Sequence, residues 1–179
     1  VLTYMPKTDL WPKNPTVVKS LVTSSLIDKM CKEHSIHCFN VLPGFKYIAQ
    51  LATQWEQNSL FHFILGLEES HGYLLGDYCR EKDGVISSCL LAEIALSAKK
   101  QDQNLMDRLV QIYKRYGFVK HHVYNYSPSH ICYKNLNTST LMNELRRGNL
   151  PNLGSHKIEK IFDLSIPTEA YPDIPKADI

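Results

Sequence analysis

No apolar stretch in these 179 residues comes near the ~18–20 that a bilayer-crossing helix needs, so neither a membrane span nor a membrane partner is expected. Charge of one sign is not in excess either. Twenty Lys+Arg stand against 18 Asp+Glu, a formal net charge of +2, and no basic run exceeds a pair such as Lys99-Lys100 or Arg146-Arg147. That balance speaks against a nucleic-acid surface. The cysteines are few, odd in number and dispersed: Cys31, Cys38, Cys79, Cys89 and Cys132 form no CxxC pair, which suits reduced thiols in a reducing compartment. No GxSxG, P-loop, HExxH or GxGxxG motif occurs, and there are no internal repeats or low-complexity tracts. Val1–Lys7 has no basic stretch ahead of an apolar core, so no signal peptide is read and a cytoplasmic location is expected. There is no initiator Met, and a processed chain or an excised piece of a longer one is the expectation.

What is present reads as one well-packed globular domain, with 44% apolar and 21% charged residues. Residues 1–16 carry Pro6, Pro12 and Pro15 and read as a lead-in or linker. Val17–Thr23 is a β-branched apolar run, a buried strand, and Ser24 or Ser25 can cap a helix carrying Leu26, Ile27 and Met30. Strand character returns at Ile36–Leu42, then Pro43-Gly44 turns the chain into a helix over Phe45–Gln57. Leu60–Leu67 is the strongest strand of all. A polar, glycine-rich loop over Glu68–Asp83 leads to a long helix from Val85 to about Lys100, with Ile86, Cys89, Leu90 and Ile94 apolar. A further helix carries Leu105, Leu109, Ile112 and Tyr116 on one face and ends at Gly117. Phe118–Tyr126 and His156–Leu164 alternate like strands, Leu136–Arg147 reads as a short helix stopped by Gly148, and a proline-rich exit linker follows Ile166. Strand and helix alternating at this spacing predict a three-layer α/β/α domain on a mixed sheet of about four strands.

Two stretches carry chemistry. Gly66–Tyr73 (GLEESHGY), followed by Arg80–Gly84 (REKDG), lies at the end of the best strand and ahead of the longest helix. In open α/β sheets ligands gather outside the strand ends. Carboxylates such as Glu68 and Glu69 accept hydrogen bonds from vicinal hydroxyls, Ser70 both donates and accepts, and the glycines admit close approach, so the composition fits a polyol or sugar. Lys82 and His71 are suited to meeting a phosphate or moving a proton. The competing reading makes the two glutamates solvated loop charges and Asp83 a helix cap. The second stretch, Pro43-Gly44-Phe45-Lys46, sits where a helix N-terminus can receive an anion, or is a plain turn with Lys46 in solvent. The tightest cluster of potential metal ligands is Cys31, His34, His37 and Cys38. Adjacent strand residues face opposite ways, so His37 and Cys38 do not readily share a metal, and none is expected.

The run GLEESHGYLLGDYCREKDGVISSCLLAEIAL resembles the sugar-recognition segment of the α-D-phosphohexomutases, the phosphoglucomutase/phosphomannomutase superfamily. VLPGFKYIAQL, one strand earlier, resembles that family's threonine-glycine-aromatic-lysine turn. The order and separation of the two motifs match, and the likeness is greatest to the bacterial-type members, whose loop reads Glu-Glu-Ser-aromatic-Gly-Tyr. The resemblance covers roughly residues 17 to 148 and implies the third of the family's four domains. On that footing the chain divides into 1–16 as lead-in from a preceding domain, 17–166 as the sugar-recognition domain and 167–179 as a linker toward a C-terminal domain.

The resemblance implies that Glu68 and Ser70 bind the sugar's 3- and 4-hydroxyls, that Gly44 and Lys46 face the sugar from the turn, and that His71 stands at a variable position of the same loop. Lys82 matches a lysine near the reacting hydroxyl, a candidate acid/base. The family's threonine before the turn glycine is replaced here by Pro43, which removes one side-chain hydrogen bond. The implied parent reaction interconverts hexose 1-phosphate and hexose 6-phosphate, with Mg2+ as cofactor, glucose 1,6-bisphosphate as intermediate and activator, and other domains of the same chain as partners. The phosphoserine loop, the magnesium loop and the phosphate-clamping loop of the family do not occur in these 179 residues, so the segment alone is expected to be catalytically silent. Two other readings stand beside this one. The first is a stand-alone, non-catalytic sugar-phosphate-binding module of the same fold. The second is an unrelated interaction domain using the Tyr/His-rich segment Tyr124–Tyr133.

Overall fold

The computed structural model describes residues 12–122 and 137–148, which fall into two units dividing after Lys120. The first unit opens with β1 (Pro15–Ser20), α1 (Leu26–Glu33), β2 (His37–Val41), α2 (Phe45–Asn58) and β3 (His62–Glu68). It continues with β4 (Gly72–Leu75), α3 (Gly84–Lys99) and α4 (Leu105–Tyr116). The strands form one sheet in the order β2-β1-β3-β4. β1 runs parallel to β2 and β3, and β4 is antiparallel to β3. This is the mixed four-stranded α/β architecture that the alternation of strand and helix predicts.

The two faces of the sheet bury different sets of side chains. On one, Val18, Val41, Phe63 and Leu74 pack with Phe45, Ile48, Ala52 and Trp55 of α2. On the other, Val17, Leu65 and Leu67 pack with Met30 and Cys31 of α1 and Tyr116 of α4. Strict alternation would put Phe63, Leu65 and Leu67 on one face. Instead the register of β1 against β3 slips, pairing Thr16 with Phe63 but Val17 with Leu65. The extra residue, Ile64, re-phases the strand, as bulges do. Gly66 and Glu68 thereby land on the α2 face.

Several expected boundaries move. β1 begins at Pro15, which lacks an N–H and is tolerated as the first residue of a strand. It stops at Ser20 because Thr23 N–H turns back onto the Ser20 carbonyl, so Leu21–Thr23 is a turn rather than strand. Leu60 and Phe61 precede β3 instead of opening it. The segment read as one long loop contains β4, whose four residues are too short to leave a periodic signal. Phe118–His122 forms no strand: the chain leaves α4 at Gly117, and the Phe118 ring packs edge-on to Tyr113, 5.0 Å away. The rest of that expected strand, the Tyr124–Tyr133 segment, the strand at His156–Leu164 and the exit linker lie outside the described residues. In α3 the apolar positions do not share one face. Leu90 and Ile94 line a cavity while Val85 and Cys89 are exposed, because every position from Val85 to Ala98 except Ser87, Ser88, Glu93 and Ser97 is apolar.

In the second unit the described element is α5 (Thr138–Arg146), capped by Asn137, whose side chain accepts from Thr140 N–H at 3.1 Å. No helix among the described residues is long and apolar enough to cross a membrane.

Candidate functional site

Glu68 is the last residue of β3, and its side chain is buried at 6% exposure. Register places Gly72 directly opposite it on β4. Three residues, Glu69, Ser70 and His71, make the connecting turn, with His71 in the left-handed region at φ 59°. Lys82 comes back over this hairpin. Its Nζ lies 2.8 Å from Glu68 Oε2 and donates to Ser70 Oγ at 3.2 Å. Beyond the ion-pair contact, Glu68 Oε2 has no aligned hydrogen-bond donor among the described residues. Gly44, the N-cap of α2, brings its N–H to the same carboxylate.

The backbone that carries Lys82 is fixed on both sides. Asp83 N–H donates to the Tyr73 carbonyl at 2.9 Å, tying the segment to β4. The Asp83 carboxylate caps α3, accepting from Val85 N–H at 2.7 Å and Ile86 N–H at 3.1 Å, and takes the Tyr78 hydroxyl as well. Asp83 is therefore the helix cap, and of the two loop glutamates one is buried. Glu69 is exposed and accepts from Thr23 Oγ1 at 3.3 Å. Thr23 belongs to a turn anchored from below by Lys19. That side chain is 3% exposed, donates to the Thr23 carbonyl at 3.1 Å and pairs with Asp28 at 3.1 Å.

Burial pushes the Glu68 carboxyl up, but hydrogen bonds from Lys82 and Ser70, the Lys82 charge and the Gly44 amide outweigh it and hold the group below its ordinary range. Lys82 is held above its ordinary value, first by the hydrogen bond to Glu68. Desolvation opposes this, and the charges of Glu68, Glu81 and Glu69 add to it. The site thus holds an ionised carboxylate on its floor and an ammonium at its rim.

Of the residues singled out in the sequence, Glu68, Ser70, Lys82 and Gly44 converge. Lys46 shares the Gly44 turn, but its ammonium lies over the Tyr47 ring, 4.8 Å from the centroid. His71 borders a cavity of about 550 Å3 lined also by Leu65, Leu67, Tyr73 and Leu75. Leu65 and Leu67 face away from the side that carries Glu68, so His71 belongs to the opposite surface of the hairpin. The four residues of the Cys/His cluster are dispersed into packing: Cys31 is buried, Cys38 packs beside it, His34 meets the Tyr116 hydroxyl at 3.4 Å, and His37 stands edge-on to Phe61.

A family model described as phosphoglucomutase/phosphomannomutase, alpha/beta/alpha domain III, matches residues 1–116. The chain belongs to this family. Phosphomannomutase of Mycoplasma genitalium is 30% identical over 156 residues, which cover 83% of this chain and 27% of that protein. Phosphoglucomutase of Staphylococcus aureus strain USA300 is 35% identical over 103 residues, 56% of this chain and 18% of that one. Glucose 1,6-bisphosphate synthase of Homo sapiens is 27% identical over 139 residues, 78% of this chain and 22% of that one. The chain therefore spans 18% to 27% of the length of these relatives.

Two residues around Glu68 take their place from chain geometry that the sequence pattern does not show. Thr23 reads as the end of an apolar strand, and only the turn at Ser20 brings it to Glu69. Gly72 is marked by the side chain it lacks, and no periodicity shows that it stands opposite Glu68.

Proposed function

We propose that this chain is the sugar-recognition part of a phosphohexomutase that interconverts hexose 1-phosphate and hexose 6-phosphate. The observation that carries this reading is the convergence of Glu68, Ser70, Lys82 and the Gly44 amide at the C-terminal ends of parallel strands, with a buried carboxylate oxygen lacking an aligned donor. An ionised carboxylate in that state suits the hydroxyl donors of a sugar, and two vicinal hydroxyls can share its two oxygens. Ser70 Oγ, already accepting from Lys82, adds a third polar contact. Lys46, exposed on the Gly44 turn, is free to swing from the Tyr47 ring toward a phosphate.

Lys82 serves as a cation in this scheme rather than as a base. An amine held above its ordinary pKa keeps its proton at neutral pH, whereas a general base works best near the operating pH. Its ammonium holds Glu68 ionised and presents positive charge where a hydroxyl gains or loses a phosphoryl group. The nucleophile lies elsewhere in the family's scheme. A phosphoserine donates its phosphoryl group, the bisphosphorylated sugar turns over, and the second phosphate returns to serine. Positioning of the sugar is what this chain contributes, in a cytoplasmic enzyme, so the 179 residues alone bind sugar phosphate without turnover.

Among the described residues no group of three or more His, Cys, Asp or Glu side chains converges on a metal. Glu68, the buried carboxylate of the site, already faces an ammonium. The residues present do not fit magnesium, and no step is routed through it. The test is to read the coding DNA on both sides. A serine-phosphate loop and an Asp-Gly-Asp loop upstream, with a phosphate-clamp loop downstream, support the reading. Start and stop codons closely flanking this segment overturn catalysis and leave a sugar-phosphate-binding module.

A further inference from the structure

We infer that Gly72 is a positioning residue: by having no side chain opposite Glu68, it leaves the track along which the Lys82 stem crosses β4 to reach the site. The inference rests on the reading of Glu68 and Lys82 as the centre of that site. In an antiparallel pair the residues directly opposite each other have their Cβ atoms about 4.5–5.5 Å apart on the same face. Position 72 is where a cross-strand neighbour of Glu68 would project. A Cβ built there would lie 2.6 Å from Lys82 Cδ, 2.7 Å from Cε and 3.1 Å from Cγ. Aliphatic carbons do not approach so closely, so a side chain at position 72 and the present course of Lys82 exclude each other.

The need for glycine here is steric and not conformational. Gly44, Gly76, Gly117 and Gly148 have positive φ, and Gly72 is not among them. Alanine can adopt the strand backbone, and the atoms it displaces belong to the outer half of a flexible side chain. Lys82 is the group that moves. Besides Glu68, the charges of Glu81 and Glu69 act on its ammonium, so a displaced stem has other carboxylates to turn to, and the buried Glu68 loses its partner. The lysine, not the hairpin, is what Gly72 governs.

The experiment follows the Glu68 carboxyl by 13C NMR against pH in the 179-residue chain, which needs no ligand and no turnover. Wild type is compared with Gly72→Ala, Lys82→Met and the double variant. The expected result is that Gly72→Ala raises the Glu68 midpoint toward the ordinary glutamate value by as much as Lys82→Met does, and that the double variant shows no further rise. A Gly72→Ala midpoint equal to wild type in a folded chain overturns the inference, and so do additive shifts. Thermal unfolding covers the case in which Gly72→Ala folds poorly. Lys82→Ala in the same chain then brings the midpoint temperature to that of Lys82→Ala alone if the clash is with the stem, and leaves it below that value if Gly72 serves the backbone. Loss of sugar-phosphate binding with this titration behaving as expected would count against the functional reading alone.

Discussion

Lys82 Nζ lies 2.8 Å from Glu68 Oε2, joining a side chain 38% exposed to one only 6% exposed. The asymmetry decides how the pair works. The carboxylate has given up its water and depends on the groups around it, while the ammonium keeps contact with solvent and can follow a ligand. Removing the lysine strands a buried charge, whereas removing the glutamate releases a cation that water already reaches.

The carboxylate itself is the first point to test. Glu68→Gln keeps the shape and removes the charge, and a hydrogen bond to a charged acceptor contributes about 1.5–3 kcal/mol. Hexose-phosphate affinity should fall by about 10- to 100-fold, with the circular dichroism spectrum unchanged, and Ser70→Ala should weaken binding to a smaller extent. Calorimetric titration of both variants checks this. Wild-type affinity in both, with both folded, counts against the assignment.

The ion pair should also set a pH window for stability. Glu68 is lowered in the folded chain, so its contribution is present above the unfolded value of about 4.3 and is lost as pH falls through the lower folded value. Lys82 is raised, so its contribution is complete below about 10.4 and is lost as pH rises through the higher folded value. The difference in thermal midpoint between wild type and Glu68→Gln should be flat between these limits and shrink outside them. A difference as large at pH 3 as at pH 7 contradicts the pairing.

Gly44 presents its amide to Glu68 at φ 128°, a backbone conformation that L side chains rarely adopt. Space is not the obstacle, since an added Cβ would meet its nearest neighbour, Tyr47, at 3.6 Å. Gly44→Ala should therefore cost about 1–3 kcal/mol through backbone strain, read as a lower urea midpoint, and the same variant should weaken sugar-phosphate binding by withdrawing the amide.

Leu74 is fully buried between β3 and α2. Leu74→Ala should cost about 2–5 kcal/mol in urea unfolding. Affinity measured on the folded fraction should stay near wild type, because Leu74 of β4 packs in the core with Val18, Val41 and Phe63.

Much of this was legible in the residues, and what was not has a physical reason. The strands and helices from Val17 to Lys99 follow from β-branched runs, apolar spacing and the caps at Asp83 and Gly44. The boundary at Ser20 depends on a single turn hydrogen bond, and those at Pro15 and His62 on the pairing of these two residues across β1 and β3, which periodicity does not encode. β4 escaped because a four-residue edge strand rich in glycine and leucine looks like loop. Glu68, Ser70 and Lys82 could be named from their motifs. That Glu68 faces Gly44 rather than α1 depends on the Ile64 bulge, and the bulge comes from pairing between distant strands. His71 reads as part of the same loop, yet a left-handed backbone turns it to the other surface.

The most direct test of the sugar-site account is a titration of the 15N-labelled 179-residue chain with glucose 1-phosphate and mannose 1-phosphate. The account predicts saturable shifts of the Gly44, Ser70 and Lys82 amides that vanish in Glu68→Ala. Shifts confined to other residues, shifts that survive Glu68→Ala, or no saturable shift at all would contradict it.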